Sequence, residues 1–157
     1  MKDFRTIALF AAICAAPIFT SCKKDSKDDP APVTPAAAAM SYKVGATTVT
    51  PATVVGATVS TMTMVTANGG TGTPQISLNL GTITATGARP SASITYSESG
   101  SSWTSSSAGT ATVNITAYDA TAKKISGTFS GTLGAFPGTP ATGTKTLTTG
   151  TFSNVSF

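Results

Sequence analysis

Apolar and polar residues alternate along most of the chain beyond residue 40, with the two-residue period of a β-strand. In Gln75-Ile76-Ser77-Leu78-Asn79-Leu80 the alternation places Ile76, Leu78 and Leu80 on one face. It recurs in Ala92-Ser93-Ile94-Thr95-Tyr96, in Ala111-Thr112-Val113-Asn114-Ile115-Thr116-Ala117, and from Ile125 to Leu133. Tyr96 and Phe129 fall on these apolar faces and are expected in the core. Over Val59 to Thr66, Met62 and Met64 share one face, and the same reading assigns them to the core. One apolar and one polar face per strand is the pattern of an antiparallel sheet packed on one side and wet on the other. Threonine fills the polar faces, where a β-branched side chain suits the pleat and its hydroxyl suits water. No window holds a 3.6-residue apolar period long enough for a helix.

Turn-forming segments punctuate the runs: Ala67-Asn68-Gly69-Gly70, Gly87-Ala88-Arg89-Pro90, Glu98-Ser99-Gly100, Tyr118-Asp119-Ala120-Thr121 and Phe136-Pro137-Gly138-Thr139-Pro140. Their spacing predicts an all-β fold, an antiparallel β-sandwich of roughly seven to nine strands. An up-and-down, lipocalin-like barrel is the alternative. No repeat of fixed length is evident, which argues against a solenoid or propeller.

The first 39 residues follow another pattern. Met1 to Arg5 is weakly positive, Thr6 to Phe19 is apolar, and the small residues Thr20 and Ser21 precede Cys22. An apolar run of about 14 residues falls short of the roughly 20 needed to span a bilayer as a helix. Residues 1–21 therefore read as a signal peptide and Cys22 as a lipidated cysteine exposed by cleavage. Two acyl chains on Cys22 would meet the requirement for stable membrane anchoring. Residues 22–39 are charged and then rich in Pro and Ala, a composition that cannot bury a core and reads as a disordered tether. Residues 40–157 form the expected domain. The second cysteine, Cys14, lies inside the leader, so the domain has neither thiol nor disulfide.

Composition narrows the chemistry. The chain has no histidine, and beyond the tether its carboxylates are Glu98 and Asp119. General acid–base catalysis needs a poised group with a supporting partner, and glycoside cleavage needs a carboxylate pair. Asp119 reads as a turn former and Glu98 as a residue that solvates its turn. Transition metals want His or Cys, and calcium wants clustered carboxylates. The expectation is a non-enzymatic protein with no cofactor and no metal. The net charge of +4 includes +1 from the leader, leaving +3. Lys123-Lys124 is the one adjacent basic pair after the tether, and it reads as a solvated turn rather than a phosphate clamp. Nucleic acid is not an expected partner.

Binding remains. Trp103 stands in a polar context, Gly100-Ser101-Ser102-Trp103-Thr104-Ser105. Exposed, it could stack on a glycan or anchor an envelope protein; folded back, it would cap one end of the core. In a barrel, Met62, Met64, Ile94 and Phe129 could instead line a small apolar cavity, making the domain a ligand carrier.

The last third carries a recognisable pattern. Gly109-Thr110-Ala111-Thr112-Val113-Asn114-Ile115-Thr116-Ala117-Tyr118-Asp119 runs into Lys123-Lys124-Ile125-Ser126-Gly127-Thr128-Phe129-Ser130, and the chain closes on Thr149-Gly150-Thr151-Phe152-Ser153-Asn154-Val155. This resembles a domain of unknown function typical of small Bacteroidota lipoproteins, with the shared pattern GTVTIT…D…KKISGTFSF…TNGTFSNV. Tyr42-Lys43-Val44-Gly45-Ala46 is similar to that family's opening, without its Asn. The Ser21-Cys22-Lys23-Lys24-Asp25 junction resembles theirs too, including tolerance of an aromatic such as Phe19 three residues before the cysteine. The resemblance implies an all-β lipoprotein anchored at the outer membrane, facing the periplasm or the cell surface. Lys27-Asp28-Asp29 resembles that group's surface-export signals and equally suits a solvated spacer. No functional residues come with the resemblance.

Overall fold

The computed structural model describes residues 36–70 and 72–157. The leader, Cys22 and the tether as far as residue 35 lie outside the described residues. From residue 36 onward the chain forms a unit with its own core.

Among the described residues eleven strands follow one another: β1 (Ala39–Val44), β2 (Thr47–Val49), β3 (Thr53–Val59), β4 (Met62–Asn68), β5 (Gln75–Gly81), β6 (Gly87–Ala88), β7 (Ser93–Glu98), β8 (Ser101–Thr104), β9 (Thr110–Asp119), β10 (Lys124–Ala135) and β11 (Thr144–Ser156). The count exceeds the expected seven to nine, partly because β2 and β6 have only three and two residues. Every pairing is antiparallel, and the domain is all-β with no helix among the described residues. The strand order is β2-β1-β11-β10-β8-β7-β5-β4-β3, with β9 on β10 and β6 on β9.

The long strand β10 joins the two halves of this sheet. From Lys124 to Thr132 it pairs with β9, and at Gly134 and Ala135 it passes to β8. The sheet thereby turns over on itself around one core. Tyr42 on β1 meets Tyr96 on β7 edge to face, with ring centroids 6.4 Å apart. Tyr42 also packs at 5.9 Å from Phe129 on β10. Ile76, Leu78, Ile94, Tyr96, Val113, Ile115, Ile125, Phe129 and Leu133 are all buried, as their alternation predicts. The sheet stays open, because β2 and β3 end the strand order without pairing to each other.

Two places depart from strict alternation. The buried positions of β11 are Leu147, Gly150, Phe152 and Val155, at spacings of three, two and three. Bulges against β10 cause this, with Thr149 and Asn154 in the left-handed region at φ 49° and 52°. Each bulge inserts a residue and bends the strand round the core.

The second departure overturns an expectation. Met62 and Met64 face outward, and Thr63, Val65 and Ala67 are the buried residues of β4. The run Met62-Thr63-Met64-Val65 changes apolar parity midway, so its own pattern does not fix the face. Its neighbour β5 does. Val65 lies opposite Leu78 and Ala67 opposite Ile76, and directly opposed residues share a face. The unambiguous alternation of β5 therefore places Val65 and Ala67 inside and both methionines outside.

Candidate functional site

The inversion of β4 builds an apolar surface on the β3–β4 hairpin. Across it Val59 lies opposite Met62, Ala57 opposite Met64 and Val55 opposite Thr66. Val55 is 62% exposed, Val59 70%, Met62 44% and Met64 40%, and Phe136 is the one other large apolar residue of comparable exposure among the described residues. Singly scattered exposed apolar residues are ordinary, whereas these four gather on one hairpin. No charged residue occurs from Val44 to Ala88, so β3, β4 and β5 are wholly uncharged.

Strand β3 is also an edge: among the described residues its sole strand partner is β4. Its inner face is approached near Gly56 by the end of β11, where a Cβ would strike the Ser156 carbonyl. Beyond that point Ala57, Thr58 and Val59 are exposed in succession, so neither face of the strand end is covered. Edge strands are usually blunted by lysine, proline, charge or bulges. Thr53–Val59 carries no charge or proline, and its pairing with β4 runs without a register shift.

Trp103 does not stand free. It is 7% exposed and closes one end of the core, 6.0 Å from the Tyr96 ring, with its indole N–H donating to the Thr142 carbonyl at 3.2 Å. Its polar sequence neighbours follow from its position on β8, where Ser101 and Ser102 make the hairpin with β7. The exposed-contact reading of Trp103 gives way to the core cap. Lys145 Nζ lies 4.7 Å from the Trp103 ring centroid and 5.7 Å from that of Tyr96, while donating to Glu98 Oε2 at 3.2 Å. Glu98 therefore does more than solvate its turn: it ties β7 to β11. Beside this pair lies a pocket of about 190 Å³ lined by Val44, Val49, Pro74 and Tyr96 as well as Glu98 and Lys145.

Burial, with the Glu98 carboxylate as a second cause, pushes the Tyr42 phenol up to about 12. The same two causes raise Tyr96 further, with additional contributions from Tyr42 and a hydrogen bond to Glu98. Both phenols stay protonated at neutral pH, so neither supplies a base. Among the described residues the Tyr42 hydroxyl has no hydrogen-bond partner.

Asp119 behaves as a turn former, its Oδ1 accepting from the Thr121 and Ala122 backbone N–H groups at 2.9 and 2.8 Å. Lys123 Nζ lies 5.7 Å from the Phe157 ring centroid. Ile94 and Phe129 belong to the core, and Met62 and Met64 lie outside it. Among the described residues no three of His, Cys, Asp and Glu gather where a metal could sit. Cys22 lies outside the described residues. The outward face of β3–β4 escaped the sequence reading; its signal was the charge-free stretch, together with the ambiguous parity of β4.

No protein-family model matches the chain, and no curated protein or solved structure matches it either.

Proposed function

We propose that this chain is a non-enzymatic interaction protein, anchored in the outer membrane by lipid on Cys22 and presenting its β-domain on a tether that starts at Cys22 and ends before β1, which takes up Ala39 from the expected 22–39 segment. The observation that carries the binding role is the apolar, uncharged face of Val55, Val59, Met62 and Met64 on an unblunted edge hairpin. Burying such a face against a partner is worth roughly 25 cal/mol per Å² of apolar surface. The anchor reading rests on the order of basic start, apolar run and small residues before Cys22. It agrees with the resemblance to small Bacteroidota lipoproteins. The domain's few titratable groups are turned to structure: Glu98 to Lys145, and Asp119 to its own loop. A carrier cavity lined by Met62 and Met64 draws no support from their outward position.

The test uses cells expressing the full chain with a photo-cross-linking residue at Met62 or, as control, at Thr121 in the β9–β10 loop. The expected result is an adduct from position 62 and none from 121, in a membrane fraction that labels with palmitate and loses both label and membrane association in Cys22→Ser. Equal cross-linking from both positions would remove the binding face. Unchanged palmitate labelling in Cys22→Ser would remove the anchor.

A further inference from the structure

We infer that the β3 edge pairs with the β3 edge of a second copy of this chain, antiparallel about a two-fold axis at Ala57. The inference rests on the reading of this hairpin as an interaction face and names its partner.

Charge selects the partner. The described domain carries Lys43, Arg89, Lys123, Lys124 and Lys145 against Glu98 and Asp119, a net +3, so two copies meeting through their basic residues repel. The β3–β4–β5 region is the exception, since no charge lies between Val44 and Ala88. An acidic or basic partner would find no complement there, whereas an identical neutral edge meets no repulsion. Isologous pairing requires a self-complementary patch, and a neutral strand edge meets that requirement.

Geometry selects the register. Val55, Ala57 and Val59 alternate onto the outward face. With the axis at Ala57, Val55 of each copy lies opposite Val59 of the other, and the smallest of the three side chains sits at the axis. Two β-branched cross-strand pairs result, each of a kind that stabilises antiparallel sheets. Met62 and Met64 flank these pairs and extend the apolar face across the junction. The axis falls in the exposed segment Ala57–Val59, past the point where the end of β11 underlies Gly56. The shared area is small beside a standard interface of about 800 Å² per partner, which makes the dimer weak and concentration-dependent.

The domain from residue 36 to 157 has its own core and no cysteine, which makes disulfide trapping clean. Purified Ala57→Cys domain, mildly oxidised, is expected to form a disulfide dimer, because paired Cα atoms at the axis lie within bridging range. Val55→Cys is also exposed, but residues 55 of the two copies would be separated by four strand positions, about 13 Å. It is expected to cross-link several-fold less. In sedimentation equilibrium, Val59→Lys or Val55→Lys is expected to move the monomer–dimer midpoint to about tenfold or higher concentration.

Cross-linking of Val55→Cys at or above the level of Ala57→Cys would overturn the pairing, as would a wild-type domain that sediments as monomer throughout. If in-cell adducts from position 62 then carry another component, the interaction face stands and self-pairing falls. If no adduct forms, both fall.

Discussion

Val59 lies directly opposite Met62 across the β3–β4 hairpin, and both side chains stand on the outward face of the sheet. The register of β4 on β5, with Val65 against Leu78 and Ala67 against Ile76, fixes that face and so makes the methionines a surface rather than an interior lining.

The assignment of faces predicts opposite outcomes for adjacent substitutions. Met64→Lys is expected to change stability by no more than about 0.5 kcal/mol, as surface changes usually do. Val65→Lys places an unpaired charge in the core and is expected to leave the domain unfolded or several kcal/mol less stable. Urea denaturation of the two variants separates the readings; a reversed order would mean that β4 is turned the other way.

Trp103 is expected to emit at short wavelength and to resist acrylamide quenching, since it caps the core beneath Lys145. Trp103→Ala should cost about 3–5 kcal/mol through lost packing. Lys145→Met retains most of the stem and removes the charge, and should cost about 1 kcal/mol. A solvent-like emission maximum from the folded domain would contradict the cap.

Alkaline pH should destabilise the fold through its tyrosines. Tyr42 and Tyr96 lose their protons less readily when folded than the unfolded value of about 10. A group whose folded pKa is raised contributes its full stabilisation below the unfolded pKa and loses it as pH rises toward the folded one. Stability attributable to these groups is therefore level below pH about 10 and falls above it, by up to about 1.4 kcal/mol per pH unit for each tyrosine. Tyr42→Phe should flatten that fall between pH about 10 and 12, measured as the urea midpoint against pH. It also removes a buried hydroxyl without a partner, so its cost near neutral pH should be small. An unchanged slope in this variant would contradict the burial of Tyr42.

Much of the fold was legible in the alternation. Ile76, Leu78, Ile94, Tyr96, Val113, Ile115, Ile125 and Phe129 sit where a two-residue period puts them. Strand β11 was less legible because bulges at Thr149 and Asn154 shift its parity, and nothing local in the sequence announces a bulge filled by threonine or asparagine. The face of β4 was not legible from β4 itself, since the deciding contacts are Val65 with Leu78 and Ala67 with Ile76 on another strand. The Glu98–Lys145 tie joins residues 47 positions apart and needs the fold to bring them together. The candidate site stayed hidden for the same reason: an exposed apolar face appears only once the strand that competes for burial has been placed.

The most direct test of the binding face is photo-cross-linking from position 62 in intact cells, with and without Val59→Lys. The wild-type hairpin is expected to give a discrete adduct that is lost in Val59→Lys at equal expression. An adduct of equal yield in both would contradict the binding face, because a charge placed on the apolar face directly opposite Met62 would then have left the contact untouched.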